Sequence, residues 1–500
     1  MTAKLAVAAG NALGARAAAN VAAQGGNAVD ACLAAAVMGW VAEPFFASMA
    51  GSGFVAVATP HGEVEVIDGN NTMPLTLPAE PGQGLRRIYL EYSDGMYTGV
   101  GGGSVAVPGV LAAVHRAWER HGRIEWAALF EDAIAVARAG LPFPKTSAYY
   151  LSVTYERLWA PFERAATLFS SPDRPGAMRP IAEGETFTQP ELAEALELVA
   201  DRGPAAFYEG ELGAAIAEAI AADGGFLTLA DLAAYRAEVR APIVAEVFGW
   251  TVHSNPPPAI GGATLVHLLN LLERADLSEP VARLNAFVDA LRTAFGVRRE
   301  RYADPNEVAA AVAELLAGLR AGRGETTHSS AADADGYACA VTESAGYGAG
   351  LVVQGVLLNN TLGEEELNPL GVHSLPPGAR CHSNMAPTIA RGPGRTVALG
   401  SPGADRIVGA IAQTFLRLAL DGDALPDAVA APRAHVDLRP GGARLCFEPG
   451  LPGEAIAGFI HRPYDDLHMY FGAVQAAEVR ADGSVDAAHD PRRSGASLVV

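Results

Sequence analysis

Apolar residues recur at helical spacing through most of the first half of the chain. Residues 3–23 predict an alanine-rich helix that stops before a Gly-Gly pair, and residues 27–41 predict a second helix whose start Asn27 and Asp30 can cap. Residues 110–239 are also mostly helical in pattern. One stretch differs, because residues 54–67 alternate around a turn at 61–62 and so predict a β-hairpin.

The pattern changes after residue 326. Short alternating or apolar runs predict strands at residues 337–342, 351–354, 356–358 and 395–399. The last of these runs into Gly400-Ser401-Pro402-Gly403-Ala404, and a helix is predicted from about 405 to 420. The chain therefore combines a helix-rich first part with a strand-rich second part.

Composition excludes several classes of protein. The 500 residues suggest two or three domains on length alone, and the net charge of -20 disfavours nucleic acid and anionic membranes as partners. The four cysteines are scattered without paired spacing, which favours buried free thiols over a disulfide framework or a zinc site. No histidine pair has metal-ligand spacing, so we expect no metal.

No segment predicts insertion into a membrane. The apolar run at residues 31–42 is shorter than the ~20 residues that a spanning helix needs. The first predicted helix leaves no room ahead of it for a secretion signal, so we expect a cytoplasmic protein.

The segment Glu325-Thr326-Thr327-His328-Ser329-Ser330 carries the clearest chemistry. Cleavage between Glu325 and Thr326 gives Thr326 a free α-amine beside its own hydroxyl, so that one residue supplies both a nucleophile and a general base. The alternative is a loop whose hydroxyls bond their own backbone. Other motifs in the chain decide between these two interpretations, a self-cleaving nucleophile and a hydrogen-bonded loop.

These motifs are spread from end to end, in a fixed order. They are Gly25-Gly26-Asn27-Ala28-Val29-Asp30-Ala31, Glu43-Pro44, Gly51-Ser52-Gly53-Phe54, Ser104-Val105-Ala106-Val107-Pro108-Gly109, Leu227-Thr228-Leu229-Ala230-Asp231-Leu232, Pro256-Pro257-Pro258-Ala259-Ile260-Gly261-Gly262, Leu357-Leu358-Asn359-Asn360, Met385-Ala386-Pro387-Thr388-Ile389, Gly400-Ser401-Pro402-Gly403, Ala431-Pro432-Arg433-Ala434-His435 and Asp490-Pro491-Arg492-Arg493. With the threonine motif, this series resembles the γ-glutamyltransferase family of N-terminal-nucleophile hydrolases.

The resemblance implies an α/β fold, a four-layer αββα sandwich. It implies a large segment, residues 1–325, and a small segment, residues 326–500, that form one intertwined domain after self-cleavage. It also implies acyl transfer through Thr326 without a cofactor. Ser344 aligns with a family threonine that supports the nucleophile, and Gly403 and Ala404 align with two glycines whose N–H groups form the oxyanion hole. Alanine keeps the N–H, although a positive φ at Ala404 would cost about 1 kcal/mol.

Substrate recognition departs from the family pattern. An arginine that binds the glutamyl α-carboxylate is replaced by Asn70 and Asn71, and a pair of serines by Ser383 and Asn384. In the family, an asparagine, a glutamine or glutamate and an aspartate hold the α-amino group. The corresponding positions of this chain are Gly346, Thr361 and Glu364. Of these only Glu364 is charged, and its acidic run can equally be a solvated turn. Arg380 is a candidate replacement cation, although its family counterpart is commonly structural.

These departures leave three functions open. The first is hydrolysis or acyl transfer on a specialised metabolite other than glutathione. The second is C–C bond hydrolysis next to a carbonyl, as thought for relatives in the pathways to 4-alkyl-proline antibiotics. The third is a processed but silent binding protein, against which the retention of Thr326, Ser344 and Gly403 argues. The expected partners are a small-molecule substrate and the chain's own two fragments, and a homo-oligomer stays open.

Overall fold

The computed structural model describes residues 5–92, 95–174, 177–301, 326–368, 370–439 and 442–500. The side chains of residues 173, 174, 177, 297–301 and 439 are outside this description. The predicted cleavage residue Glu325 also lies outside the described residues.

The strands are named in chain order. They are β1 Leu5–Ala9, β2 Ser52–Ala58, β3 Val64–Gly69, β4 Arg86–Leu90, β5 Met96–Val100, β6 Leu141–Pro142, β7 Ser170–Arg174, β8 Ala177–Pro180, β9 Thr186–Phe187, β10 Glu238–Arg240, β11 Ile243–Val247, β12 Trp250–Ser254, β13 Thr327–Asp333, β14 Ala338–Ser344, β15 Val352–Val353, β16 Val356–Leu357, β17 Thr388–Gly392, β18 Arg395–Gly400, β19 Ala434–Arg439, β20 Gly442–Phe447, β21 Ile460–Pro463, β22 Gln475–Arg480, β23 Val485–His489 and β24 Ala496–Val499.

The helices are named in the same way. They are α1 Ala12–Ala23, α2 Ala28–Ala42, α3 Val110–His121, α4 Glu131–Ala139, α5 Lys145–Thr154, α6 Glu163–Leu168, α7 Pro190–Arg202, α8 Ala205–Tyr208, α9 Glu211–Ala222, α10 Leu229–Ala234, α11 Gly261–Leu272, α12 Pro280–Arg301, α13 Arg406–Leu416 and α14 Leu425–Ala430. No helix within the described ranges is long and apolar enough to cross a bilayer.

Two antiparallel sheets form the centre of the molecule. The first has the strand order β10-β3-β2-β14-β13-β1-β24, and the second has the order β11-β12-β17-β18-β22-β23. Both sheets take strands from before and after residue 326. The two predicted segments are therefore interleaved, and separating them would break hydrogen bonds along both sheets.

Each sheet is covered by helices on its outer face. The core over the first sheet includes α1 and α2 and the outward side chains Cys339 and Val341. The core over the second sheet includes side chains of α11, α12 and α13. A third, alanine-rich core lies between the sheets, where small side chains let them pack closely. This arrangement confirms the predicted four-layer αββα sandwich.

The first predicted helix is wrong at its start. Residues 5–9 form β1, which pairs with β13 on one side and β24 on the other, and the helix begins only after Asn11 caps it. Alanine favours helices, but inclusion in the middle of a sheet overrides that weak preference. The second helix and its cap are confirmed, because the Asn27 side chain accepts from the Asp30 N–H and the Asp30 side chain accepts from the Asn27 N–H.

The other predicted elements are confirmed within a few residues. The predicted hairpin is the pair β2 and β3, and the strands predicted after residue 326 are β14, β15, β16 and β18. The predicted helix at 405–420 is α13, followed by a π-helical turn from Arg417 to Asp421.

Candidate functional site

Thr326 lies immediately before β13, a central strand of the first sheet. The register of β13 with β14 pairs Thr327 with Glu343, so Thr326 lies opposite Ser344. Thr326 is 3% exposed, and Arg493 Nη1 donates to its carbonyl oxygen over 3.4 Å. Thr326 therefore stands one residue ahead of a strand in the middle of the sheet.

Side chains along β13 alternate between two environments. Thr327 points to the helical layer, where its hydroxyl donates to Glu43 Oε2 over 2.8 Å. His328 points to the second sheet and lies against Gly400, where a Cβ would overlap its ring. Because successive strand side chains face opposite ways, Thr326 shares the inter-sheet face with His328.

His328 is a buried, neutral hydrogen-bonding residue. Its ring nitrogens lie 2.7 Å from Thr342 Oγ1 and 2.9 Å from Ser330 Oγ. Burial lowers its pKa to about 3. His373 is likewise engaged with the Gly103 carbonyl oxygen, at 2.7 Å. Among the described residues, no cluster of His, Cys, Asp or Glu is arranged to hold a metal ion.

Ser344 supports the turn that follows β14. Its hydroxyl oxygen accepts from the Gly346 N–H over 3.0 Å. Ser344 also pairs with Ser52 on β2, whose hydroxyl donates to the Ser344 carbonyl oxygen over 3.4 Å. Its place opposite Thr326 is the one that the sequence predicts for a residue that supports the nucleophile.

The Gly403–Ala404 turn follows β18 and leads into α13. Gly403 has φ 121° and Ala404 has φ 58°, and the first turn of the helix starts from their carbonyl oxygens, which accept from the N–H groups of Arg406 and Ile407. Within the described part of the chain, neither amide N–H of this pair has a hydrogen-bond partner. Two such donors at a helix N-terminus suit a developing negative charge.

Hydrogen bonds of Ser401 and close packing against Gly472 hold this turn in place. Ser401 Oγ donates to the Pro402 carbonyl oxygen over 2.7 Å and accepts from the Ala473 N–H over 2.9 Å. A Cβ on Gly403 would approach the Cα of Gly472 to 3.0 Å. The left-handed backbone at Ala404 costs about 1 kcal/mol, which this packing has to offset.

Asn70 and Asn71 use their side-chain amides within the protein. Asn70 Nδ2 donates to the Cys381 carbonyl oxygen over 2.5 Å, and Asn71 Nδ2 donates to Thr361 Oγ1 over 2.8 Å. Both side chains are buried, at 1% and 0% exposed. Three of the predicted substrate contacts, Asn70, Asn71 and Thr361, are thus brought together, with hydrogen bonds to the protein.

Arg380 is a structural residue rather than a free cation. Its Nη1 donates to Asp68 Oδ1 at 3.1 Å, the Asn70 carbonyl oxygen at 3.0 Å and the Tyr235 hydroxyl at 3.0 Å. Burial raises the pKa of Asp68, although Arg380 opposes this effect. The arginine therefore fixes the loop after β3.

Glu364 occupies the space that Gly346 leaves open. A Cβ on Gly346 would lie 2.6 Å from Glu364 Oε1 and 2.5 Å from Asn360 Oδ1. The Asn360 side chain in turn accepts from the Tyr347 N–H and donates to Thr98 Oγ1. Glu364 is 2% exposed, which excludes the alternative of a solvated turn for this residue.

Ser383 and Asn384 lie where the second sheet meets α11. The Ser383 carbonyl oxygen accepts from the N–H groups of Ile260 and Gly261, and its hydroxyl oxygen accepts from the Met385 N–H over 3.3 Å. The Asn384 side chain is buried. These bonds fix the backbone next to the candidate site.

Sequence reasoning missed the polar residues on the helical side of β13. Glu43 and Glu343 are buried there, around Thr327, and the half-buried Asn11 donates to Glu43. Glu43 stands in the Glu43-Pro44 motif, and a charged residue directly after a long apolar helix was the available signal. Its contact with a residue 284 positions away was not predictable from spacing.

Comparison with known proteins accounts for the whole chain. The family described as Gamma-glutamyltranspeptidase matches residues 14–321 and 318–500. The Acylase ACY 1 proenzyme of Pseudomonas sp. (strain SE83) is 30% identical over 511 residues, covering 95% of this chain and 90% of that protein. The Glutathione hydrolase proenzyme of Escherichia coli (strain K12) is 28% identical over 519 residues, covering 94% and 87%.

A solved structure has the same fold. The crystal structure of cephalosporin acylase from Bacillus halodurans superposes with a TM-score of 0.78 at 24% identity, covering 99% of this chain and 96% of that one. The shared fold extends over all four layers of the sandwich.

Proposed function

The chain belongs to the gamma-glutamyltranspeptidase family of N-terminal-nucleophile hydrolases, and from this premise we propose that it cleaves itself before Thr326 and then hydrolyses or transfers an acyl group that is not γ-glutamyl. One observation carries the proposal. Thr326 lies at the edge of β13 opposite Ser344, and β18, whose last residue Gly400 lies against His328 of β13, leads into a turn whose Gly403 and Ala404 N–H groups have no partner among the described residues.

The proposed chemistry uses only groups of this chain. After cleavage, the α-amine of Thr326 takes the proton of the hydroxyl as Oγ1 attacks the substrate carbonyl carbon. The N–H groups of Gly403 and Ala404 stabilise the oxyanion, a contribution of about 10²–10³ in rate for one such donor. The amine then returns the proton to the leaving group, and water or an acceptor amine releases the acyl group from Thr326.

The substrate class follows from the recognition residues. Asn70 and Asn71 replace a charged arginine and donate to Cys381 and Thr361 instead, while Gly346 has no side chain to offer. A γ-glutamyl head carries both an α-carboxylate and an α-amino group, and each lost charge-assisted bond forfeits about 1.5–3 kcal/mol. Two relatives are named as acylases, which agrees with an acyl group of another kind.

A matched series of anilides tests this proposal. γ-Glutamyl-, glutaryl- and butyryl-p-nitroanilide share the scissile amide and differ by the α-amino group and then by the carboxylate. We expect kcat/KM for the γ-glutamyl compound to be no higher than for the glutaryl compound. A clear preference for γ-glutamyl, saturating at ordinary concentrations, would restore the standard family substrate.

The nucleophile is tested on the same preparation. Denaturing electrophoresis should resolve two fragments, and sequencing of the smaller should begin Thr-Thr-His. Thr326→Ala should stay one chain and be inactive, whereas Thr326→Ser should retain slow cleavage. Mass analysis of the smaller fragment should show an acyl group on Thr326 during turnover. If a ketone substrate gave an acyl group on Thr326 by cleavage of the C–C bond next to its carbonyl, the alternative function, C–C bond hydrolysis, would be favoured.

A further inference from the structure

A buried hydrogen-bond chain holds the residue that follows the nucleophile. Glu43, the residue that ends α2, accepts from Thr327 Oγ1 through Oε2 at 2.8 Å and from Asn11 Nδ2 through Oε1 at 2.7 Å. Asn11 also caps α1 by accepting from the Gly14 N–H at 2.7 Å. The chain therefore joins β13 to the adjacent ends of two helices.

Two glycines make room for this chain. A Cβ on Gly10 would lie 2.7 Å from Thr327 Oγ1 and 2.8 Å from Glu43 Oε1. A Cβ on Gly39 would lie 3.7 Å from Thr327 Cγ2 and 3.1 Å from Glu343 Oε1. The approach of Glu43 to Thr327 thus depends on the missing side chain of Gly10, while Gly39 leaves room for Glu343 beside Thr327.

The contact determines which way the nucleophile points. With the Thr327 hydroxyl held on the helical side, period-two alternation directs the Thr326 side chain to the inter-sheet side. A one-residue change of register would exchange these two threonines. Thr326 and Thr327 are identical residues, so the sequence around them offers little to specify which one faces the oxyanion donors.

Arg493 holds the same end of the strand from the other direction. Its Nη1 donates to the carbonyl oxygen of Thr326 at 3.4 Å, and its guanidinium lies 5.3 Å from the centre of the Phe46 ring. Phe46 follows Glu43 in the turn after α2, and its N–H donates to the Glu43 carbonyl oxygen. The short turn after α2 therefore contacts β13 through the Glu43 side chain. Its Phe46 ring also packs against Arg493, which donates to Thr326.

We propose that Glu43 is a positioning residue for the Thr326 nucleophile, acting through the hydroxyl of Thr327. The inference rests on the proposed role of Thr326 and assigns this neighbouring carboxyl a part in self-cleavage and turnover. Misplacement of a reacting group by about 1 Å can cost 10²-fold in rate, so a hydrogen bond that orients the first residue of the strand is sufficient for a large effect.

The test follows self-cleavage of freshly purified protein over time. Thr327→Val keeps the shape of the side chain but removes the donor, and we expect cleavage to slow by about 10- to 100-fold. Thr327→Ser restores the hydroxyl and should stay within about 3-fold of the natural protein. Thr154→Val is the matched control, because it removes a fully buried hydroxyl that donates to the Tyr150 carbonyl oxygen in α5.

Variants of the carboxyl complete the test. Glu43→Gln retains an acceptor for Asn11 and an amide that can bond the Thr327 hydroxyl, whereas Glu43→Leu loses both contacts. After processing is complete, we expect Glu43→Leu to lower kcat with KM little changed, and Glu43→Gln to recover most of the loss. Sequencing of the fragments of Glu43→Leu, in which Thr327 keeps its hydroxyl, completes the test: a shift of cleavage to the Thr326–Thr327 bond would support the inference, because the Glu43 contact would then decide which threonine attacks.

The outcomes separate this inference from the proposed function. If the natural protein cleaves before Thr326 and Thr327→Val cleaves at the same rate, Glu43 has no positioning role. An equal loss in Thr154→Val would also overturn the inference, since any buried hydroxyl would then suffice. If the natural protein is never cleaved before Thr326, the proposed function itself fails.

Discussion

Two of the buried groups of charged residues in the described part of the molecule are built on opposite principles. Near the C-terminus, Arg433 and Arg492 lie among Asp490 and Glu448, with every side chain at most 7% exposed. Arg433 Nη1 is 2.7 Å from Asp490 Oδ2, Arg492 Nη1 is 3.0 Å from Asp490 Oδ1, and Arg492 also pairs with Glu448. Two cations meet two anions, so the charges balance.

The group beside β13 has no such balance. Glu43 accepts hydrogen bonds from Asn11 Nδ2 and Thr327 Oγ1. Glu343 Oε2 accepts from Trp40 Nε1 at 2.7 Å. All three donors are neutral. Burial raises the pKa of both carboxyl groups, that of Glu343 well above its ordinary value. The charge of Glu43 raises the pKa of Glu343 further, whereas Arg493 opposes the shift at Glu43.

This difference separates a structural network from a functional one. The C-terminal network closes every charge with a partner and fixes the loops around it, whereas burial disfavours the charged form of the carboxyls beside β13, whose hydrogen-bond donors are neutral. Burying carboxyl groups with only neutral hydrogen-bond donors costs free energy, and this cost falls in the region next to the candidate nucleophile. Strained or unbalanced groups concentrate at functional sites for this reason.

The largest effect is expected from removing one charge of the balanced network. Asp490→Asn leaves two buried arginines against one acid and should lower the free energy of unfolding by about 3–5 kcal/mol. Glu191→Gln is the control, because Glu191 pairs with Arg164 on the surface with side chains 53% and 63% exposed. It should change stability by less than about 1 kcal/mol. Urea denaturation measures both, and equal effects would show that the network carries no special role.

A smaller effect is expected from filling the space beside Glu43. Gly10→Ala places a methyl group against Thr327 Oγ1 and Glu43 Oε1, and such overpacking costs about 1–3 kcal/mol. Gly296→Ala in α12 meets no atom within 4 Å and should stabilise by about 0.5–1 kcal/mol, as expected for alanine in a helix. Thermal unfolding of the two variants should therefore shift in opposite directions.

The pH dependence of stability sharpens the same comparison. A carboxyl whose pKa is raised in the folded state holds its proton there, so the stability it contributes is complete below pH 4.5, the ordinary glutamate value, and is lost as pH rises through the folded pKa. Glu343→Gln keeps an acceptor for Trp40 Nε1 and should remove this loss. We expect the variant to gain stability relative to the natural protein as pH is raised from 4.5 to 8.

His328 acts in the opposite direction over part of this range. Its pKa falls to about 3 in the folded state, so the stability it contributes is complete above pH 6.5 and is lost as the solution becomes more acid. The natural protein and Glu343→Gln both contain His328. The difference between their free energies of unfolding therefore reports on Glu343. A constant difference across pH would show that Glu343 is charged in the folded state.

The smallest effect is expected at the oxyanion turn. Ala404→Gly keeps the N–H and relieves the left-handed backbone at φ 58°, while it adds freedom to the unfolded chain. These terms oppose each other, so we expect a gain of at most about 1 kcal/mol in stability and kcat within about 3-fold. Urea denaturation and steady-state kinetics of this variant measure the two terms, and a loss of kcat far beyond this range would show that the alanine methyl group, and not the N–H alone, matters at this turn.

The comparison also shows which features follow from local sequence. The cap of α2 by Asn27 and Asp30 spans three residues and was predicted from them. The turn from β18 into α13 was predicted in the same way, whereas the positive φ at Ala404 is a finding of the structure. The positions of Thr326 and Ser344 came from ordered motifs, and their opposition across β13 and β14 follows from the register.

The sequence by itself therefore predicted most helices and strands from periodicity and capping motifs, and its ordered motifs gave the family resemblance that implies the four layers and the candidate nucleophile. Tertiary structure alone decided that the alanine-rich residues 5–9 form a strand, since pairing with β13 and β24 outweighs helix preference. It also decided that Asn70 and Asn71 bond the protein and that Glu43 reaches Thr327. These contacts join residues that are hundreds of positions apart, and whether a buried polar group meets its partner depends on how the layers pack.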